Sequence, residues 1–253
     1  MSALPASRTV SLDAPLRWLA RGWRDFRRIP LVSSGHGVVL LLATGLIVAI
    51  GQSNAALLAG AFSGFVLVAP ALCFGLYANS RAIERGEQTG PRACSLAWRR
   101  AARPAVRAGL LLALTGSVWV LVSSLLVSRA ALPVGGVEGY VRYFVTEQAD
   151  SPVFWLWLLA GALLAALIFG ATAVSLPMLV DREISVGDAV RTSIRAVGDN
   201  PVAMVFWAVL IMVLVMAAVV TVIGLVVLIP VLGHASWHAY RDVVQPPDPS
   251  AAL

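Results

Sequence analysis

The residues with the most chemical potential in this chain are its three histidines, His36, His234 and His238. His234 and His238 are four positions apart, so on a helix they share one face. His36 falls at the matching end of another apolar stretch, which places all three at similar depth. Neutral imidazoles so arranged suit a transition metal or a haem iron. They also suit a structural polar cluster beside Trp237, Tyr240 and Arg241, hydrogen-bonding backbone that nearby prolines have freed. The polar cluster is the preferred reading and no cofactor is expected. A metal or haem site is the alternative.

A second constellation is ionic. Arg81 and Glu84 lie at one apolar boundary, Asp181, Arg182 and Glu183 at another, and Arg241 at a third. Together they could form a ring of ion pairs between helix ends. Enzyme signatures are missing. There is no Gly-x-Ser-x-Gly, no His-Glu-x-x-His and no P-loop lysine. No carboxylate interrupts an apolar stretch, which argues against an intramembrane aspartyl protease or a carboxylate proton relay. Ser123 and Ser175 fall inside apolar stretches with no histidine at their depth to act as a base. No enzymatic activity is expected.

The elements that must hold these groups are membrane helices. Of 253 residues, 59% are hydrophobic and only 13% charged, against about 25% charged in soluble domains. Residues 37–80, 108–128, 151–180 and 201–240 contain no Asp, Glu, Lys or Arg. A bilayer core needs roughly 20 apolar residues of helix. The first and last stretches are each long enough to cross twice, with turns expected at Gln52-Ser53-Asn54 and near Thr221 and Gly224. The reading is an all-α, polytopic membrane helical bundle forming a single transmembrane domain over 1–253. Its six spans lie at about 32–51, 56–79, 106–127, 153–179, 202–220 and 223–240. One long helix over 201–240 is the competing reading of the last stretch.

Every basic residue is arginine, and their placement sets the orientation. Six lie before residue 30 and seven in 81–107. Arg182, Arg191 and Arg195 lie in 181–200, and Arg241 closes the last span. Only Arg129 and Arg142 lie in the 128–152 loop. An even number of spans places the four basic segments on the cytoplasmic side with both termini. The formal charge of +6 is therefore read as topology and not as nucleic-acid binding. Residues 1–30 have no apolar core of the kind a signal peptide needs. Cys73 and Cys94 are not placed for a disulfide.

Three basic, amphipathic helices are expected on that side, at about 12–28, 91–102 and 185–198. Each precedes a hairpin and ends near a proline, Pro30, Pro104 or Pro201. In the first, Leu12, Leu16, Leu19, Trp23 and Phe26 share a face, with Asp13 as the expected N-cap. In the third, Val186, Ala189, Val190, Ile194 and Val197 share a face, and Ser185 with Asp188 resembles a capping box. The first helix is expected to meet lipid through Trp18, Trp23 and Phe26, with Arg17, Arg21, Arg24 and Arg28 on anionic headgroups; packing on the cytoplasmic ends of the bundle is the alternative, and the two are compatible. Gly60 with Gly64, and Gly161 with Ala165, are small-residue pairs that let helices approach. Pro70, Pro177 and Pro230 are expected helix breaks.

The string Gly233-His234-Ala235-Ser236-Trp237-His238-Ala239-Tyr240-Arg241 resembles the C-terminal signature of a bacterial integral-membrane family catalogued as a domain of unknown function. The stretches Ser175–Arg182, Ala69-Pro70 to Ser80-Arg81 and Glu84-Arg85-Gly86 are also similar to it. The resemblance covers roughly 15–242. It implies a proteobacterial inner-membrane protein with no established activity. Three histidines and six spans are too few for the catalytic subunit of a haem–copper oxidase. The expectation is a non-catalytic scaffold, accessory or assembly factor, lipid-associated or near a respiratory complex, with the bilayer and a membrane protein as partners and no nucleic acid. The alternatives are a carrier for a small neutral or lipophilic solute and a metal- or haem-binding protein using His36, His234 and His238.

Overall fold

A computed structural model describes residues 4–51, 61, 73–127, 151–221 and 223–246. The regular elements there are helices: α1 Ala14–Arg28, α2 Pro30–Gly51, α3 Phe74–Arg85, α4 Pro91–Val127, α5 Pro152–Thr172, α6 Ser175–Asp181, α7 Val186–Asp199, α8 Pro201–Thr221 and α9 Ile223–Val243. The turn at 52–54, the pair Gly60 and Gly64, Pro70 and the 128–150 loop lie outside the described residues.

Among the described residues, four helical stretches are long and apolar enough to cross a membrane: Pro30–Ile47, Arg103–Ser123, Pro152–Asp181 and Pro201–Ala218. Their bulky side chains point outward. Leu42, Leu46, Leu110, Leu114, Leu121, Leu156, Leu159, Leu163 and Met212 are all exposed. A water-soluble bundle would bury this surface; an exposed apolar surface of this extent marks contact with lipid.

Three boundaries differ from those expected. The 91–102 helix is not separate from the span that follows, because α4 runs through Pro104 without a break. The proline removes one ladder hydrogen bond, but Ala101, Ala102, Ala105 and Ala108 around it favour helix strongly. The 153–179 span is split. α5 ends at Thr172, and α6 begins at Ser175, just ahead of Pro177. α3 continues past Arg81 to Arg85 and ends on Gly86, whose φ of 66° closes it in the left-handed region. The 201–240 stretch is two helices, α8 and α9, packed on each other.

The chain forms two compact units. One comprises Met1–Leu41, Pro70–Gly109 and Phe169–Leu253; the other comprises Leu42–Ala69 and Leu110–Ile168. In the second, the Trp119 ring lies against Gly161 and stacks on Trp157 at 6.2 Å, and Trp157 donates its indole N–H to Ser123 Oγ at 3.0 Å. Gly161 therefore seats a side chain, while its expected companion Ala165 is exposed. In the first unit, α9 packs against α1, α3, α6 and α8. Its two ends of chain meet: Arg8 donates its backbone N–H to Val243 O at 2.8 Å, and Gln245 donates to Ala6 O at 2.9 Å.

Candidate functional site

The site is built where α1 crosses α9. A Cβ on Gly22 would lie 2.5 Å from Val231 O and 2.6 Å from Ala235 N, so only glycine permits this approach. The crossing buries the face of α1 that carries Ala14, Trp18, Gly22 and Asp25. Trp18 meets Trp207 edge-on at 5.7 Å and donates its indole N–H to Asp242 at 2.9 Å.

Trp18 and Phe26 are thus buried and not lipid-facing, a correction to the sequence expectation. The helices meet through small residues, and Trp18 and Phe26 lie on or beside that face. Leu12, Leu16 and Trp23, about a third of a turn away, stay exposed. Arg17, Arg24 and Arg28 are also exposed, while Arg21 pairs with Asp242 at 2.9 Å. Asp13 precedes α1 but makes no side-chain cap; its carboxylate pairs with Arg17 instead. α7 behaves as α1 does. Ala189, Thr192, Ser193 and Ala196 pack inward while Ile194 is exposed. Ser185 caps it by accepting from the Asp188 N–H at 3.1 Å.

Next to the crossing lies a buried polar chain. Ser80 donates its hydroxyl to Asp25 Oδ2 at 2.8 Å. With that proton committed, Ser80 Oγ accepts from His234 Nδ1 at 2.7 Å. In the neutral ring, His234 Nε2 is then the acceptor for the Ser33 hydroxyl at 2.9 Å. From the other side, His238 Nε2 donates to Asp25 Oδ2 at 2.8 Å. Ser33, Ser80 and His234 are 0% exposed and Asp25 is 4% exposed. Donors of α3 and α9 therefore converge on one carboxylate of α1, and Ser33 of α2 joins the chain through His234. Burial works against the charged form of Asp25, but the hydrogen bond and charge of His238, with Ser80, outweigh it and hold the carboxyl below its ordinary value.

His36 is not a member of this chain. Its Nδ1 lies 3.0 Å from its own helix's Val32 O, and its ring fills the space over Gly75. Among the described residues no group of three or more His, Cys, Asp or Glu is placed to hold a metal ion. Both nitrogens of His234 are engaged by serines.

The ionic constellation gathers around Asp181, whose side chain is 2% exposed. It receives Arg81 Nε at 3.3 Å, Arg85 Nη2 at 3.0 Å, Tyr240 OH at 2.7 Å and Arg241 Nη1 at 3.5 Å. Arg241 also grips Glu84 Oε1 at 2.8 and 3.0 Å, and Trp237 donates to Glu84 Oε2 at 2.9 Å. Arg182 donates to Tyr240 OH at 2.8 Å. Glu183 has no ion pair or side-chain hydrogen bond among the described residues. The break before Pro177 is spliced by another helix: Ser193 Oγ accepts from Val174 N at 3.2 Å and donates to Gly170 O at 2.7 Å, standing in for the missing ladder bond. Pro230 lies inside α9 without ending it.

Sequence reasoning did not find Asp25, Ser33, Ser80, Asp242 or Arg85 as site residues. For Asp25 a signal exists. It is the one acid of α1, among five arginines, and it follows Gly22 and Trp18 at helical spacing.

Comparison with known families places part of this architecture. Residues 57–181 match the family model described as a predicted integral membrane protein, DUF2189. Over that stretch the chain is similar to this family of predicted integral membrane proteins. The match contains Ser80, Arg81, Glu84, Asp181 and the break at Pro177, and stops short of the Gly233–Arg241 string. No curated protein and no solved structure matches the chain.

Proposed function

We propose that the protein is a non-catalytic scaffold or assembly factor of a bacterial inner membrane, with both termini cytoplasmic and a basic collar facing anionic headgroups and a membrane-protein partner. The observation carrying this reading is a polar core that satisfies itself. Among the described residues, every buried side-chain nitrogen and oxygen has a hydrogen-bond partner. The imidazole that would act as a base or ligand, His234, is spent on two serines. Such a network favours one arrangement of helices over others, because partly satisfied alternatives are costly.

The six-span reading, as three hairpins each preceded by an amphipathic helix, is supported by the tie between residues 6–8 and 243–245. Chain ends in contact lie on the same side of a bilayer, which requires an even number of crossings. Reporter fusions at residues 95 and 190 are expected to give the same cytoplasmic address as both termini. A periplasmic address at either refutes the topology.

The functional test is crosslinking in native membranes followed by mass spectrometry, expected to enrich one membrane protein in near-stoichiometric amount. Saturable solute uptake into proteoliposomes would overturn the reading in favour of a carrier. A bound metal or a Soret band, lost in the His234→Ala/His238→Ala double variant, would overturn it in favour of a redox site.

A further inference from the structure

Between α1 and α3 the polar chain reaches a cavity of about 150 Å³, lined by Arg21, Arg24, Asp25, Arg28, Ser80, Ile83, Glu84 and His238. The charges facing it do not cancel locally. Arg21 is committed to Asp242, and Glu84 to Arg241 and Trp237. Asp25 is held by Ser80 and His238. Arg24 and Arg28 have no ion pair or side-chain hydrogen bond among the described residues, and being four apart they project from one face of α1. Two uncommitted guanidiniums at a concave site match the oxygens of a phosphate group.

The depth of the cavity points to the source of that phosphate. Arg28 ends α1, and α2, a candidate membrane span, begins two residues later at Pro30. Leu31, on the first turn of α2, is 89% exposed, and Trp23, on α1, is 45% exposed. An apolar residue so exposed at the start of a span lies against acyl chains, so the neighbouring arginines lie at the level of the headgroups. A soluble anion would need none of this apolar surface.

We propose that this cavity is a headgroup site that holds the phosphodiester of a membrane phospholipid, with Arg24 and Arg28 as its donors. It deepens the scaffold reading above by naming where the basic collar takes a lipid, and it rests on that reading's orientation of α1 at the membrane surface.

The test is native mass spectrometry of the full chain in detergent, titrated with phosphatidylglycerol. The wild type is expected to retain the lipid. The Arg24→Gln/Arg28→Gln variant is expected to bind it roughly thirtyfold more weakly, at about 1 kcal/mol per arginine. Arg27→Gln, at an exposed arginine outside the cavity, is expected to bind as the wild type does. Equal weakening by Arg27→Gln would overturn the site in favour of diffuse charge. Displacement of the lipid by millimolar inorganic phosphate would overturn the lipid as the source. Retention of lipid by the double variant would overturn the proposal outright. Both arginines are exposed, so an unchanged melting curve serves as the folding control. A variant that loses lipid but keeps its crosslinked partner leaves the scaffold reading intact; a wild type that binds lipid but enriches no partner refutes that reading alone.

Discussion

Replacing Asp25 by alanine tests whether the polar chain holds the helices together or merely lies between them. The variant removes the acceptor of two hydrogen bonds, from Ser80 at 2.8 Å and His238 at 2.8 Å. A hydrogen bond to a charged group contributes about 1.5–3 kcal/mol. His238 can partly recover by turning to water, since its side chain is 16% exposed, whereas Ser80 is 0% exposed and cannot. The expected loss is therefore about 3 kcal/mol, with Asp25→Asn losing about half of that because its amide oxygen keeps one acceptor. The assay is unfolding in mixed micelles by rising SDS fraction, followed by the fluorescence of Trp18, Trp207 and Trp237, which are buried nearby. A cycle with His238→Ala is expected to show coupling of about 1–2 kcal/mol. The sign with pH follows from a carboxyl held below its ordinary value of 3.8. Its stabilisation is complete above that value and is lost as pH falls below it, so wild type and Asp25→Ala converge in acid. A loss under about 0.5 kcal/mol near neutral pH, with no coupling, would refute the reasoning.

Three further perturbations probe the same architecture. Gly22→Ala sets a methyl 2.5 Å from Val231 O, a backbone atom that cannot step aside, and is expected to cost about 1–3 kcal/mol in the same assay; an unchanged stability would mean that α1 and α9 do not meet there. Ser193→Ala unsplices the break before Pro177 and leaves Val174 N–H and Gly170 C=O without their bridge, for about 1–2 kcal/mol, with Ser193→Thr restoring most of it. Asp181→Ala strands Arg81 and removes the acceptor of the Tyr240 hydroxyl, while Arg241 keeps Glu84, and is expected to cost about 3 kcal/mol; high salt should not mimic it, since the carboxylate is nearly fully enclosed.

What was legible in the sequence was whatever depends on transfer from water. Where the charge-free stretches are described they are almost wholly helical, because hydrocarbon admits neither a charge nor an unsatisfied backbone group. Pro177 marks a true break. Asp181, Arg81, Glu84 and Arg241 meet because opposite charges at the ends of adjacent helices have few other partners. The polar chain was legible only in part. His234 and His238 were visible through their spacing, but their partners come from Asp25, Ser33 and Ser80, which are distant in sequence and individually ordinary. The reach of Gly22 toward Ala235 sets that convergence, and no local pattern encodes a distance between two helices.

The same physics explains why large apolar faces were poor guides to packing. In water, the wide apolar stripe of a helix turns inward because burial there is favourable. In lipid that driving force is absent, and what brings helices together is close approach and hydrogen bonding. The inward face of α1 accordingly runs Ala14, Trp18, Gly22 and Asp25, and that of α7 runs Ala189, Thr192, Ser193 and Ala196. Both helices lie outside the spans, yet both pack by the membrane rule and leave Leu12, Leu16, Trp23 and Ile194 exposed. Each is a two-sided element, with small and polar residues docked on the bundle and large apolar ones left exposed. On α1 a third sector carries Arg17, Arg21, Arg24 and Arg28; on the headgroup reading proposed above, that sector lies at the height of the phosphates. On the scaffold reading proposed above, a helix with that division of faces would fix the bundle's depth in the bilayer before any surface is presented to a partner.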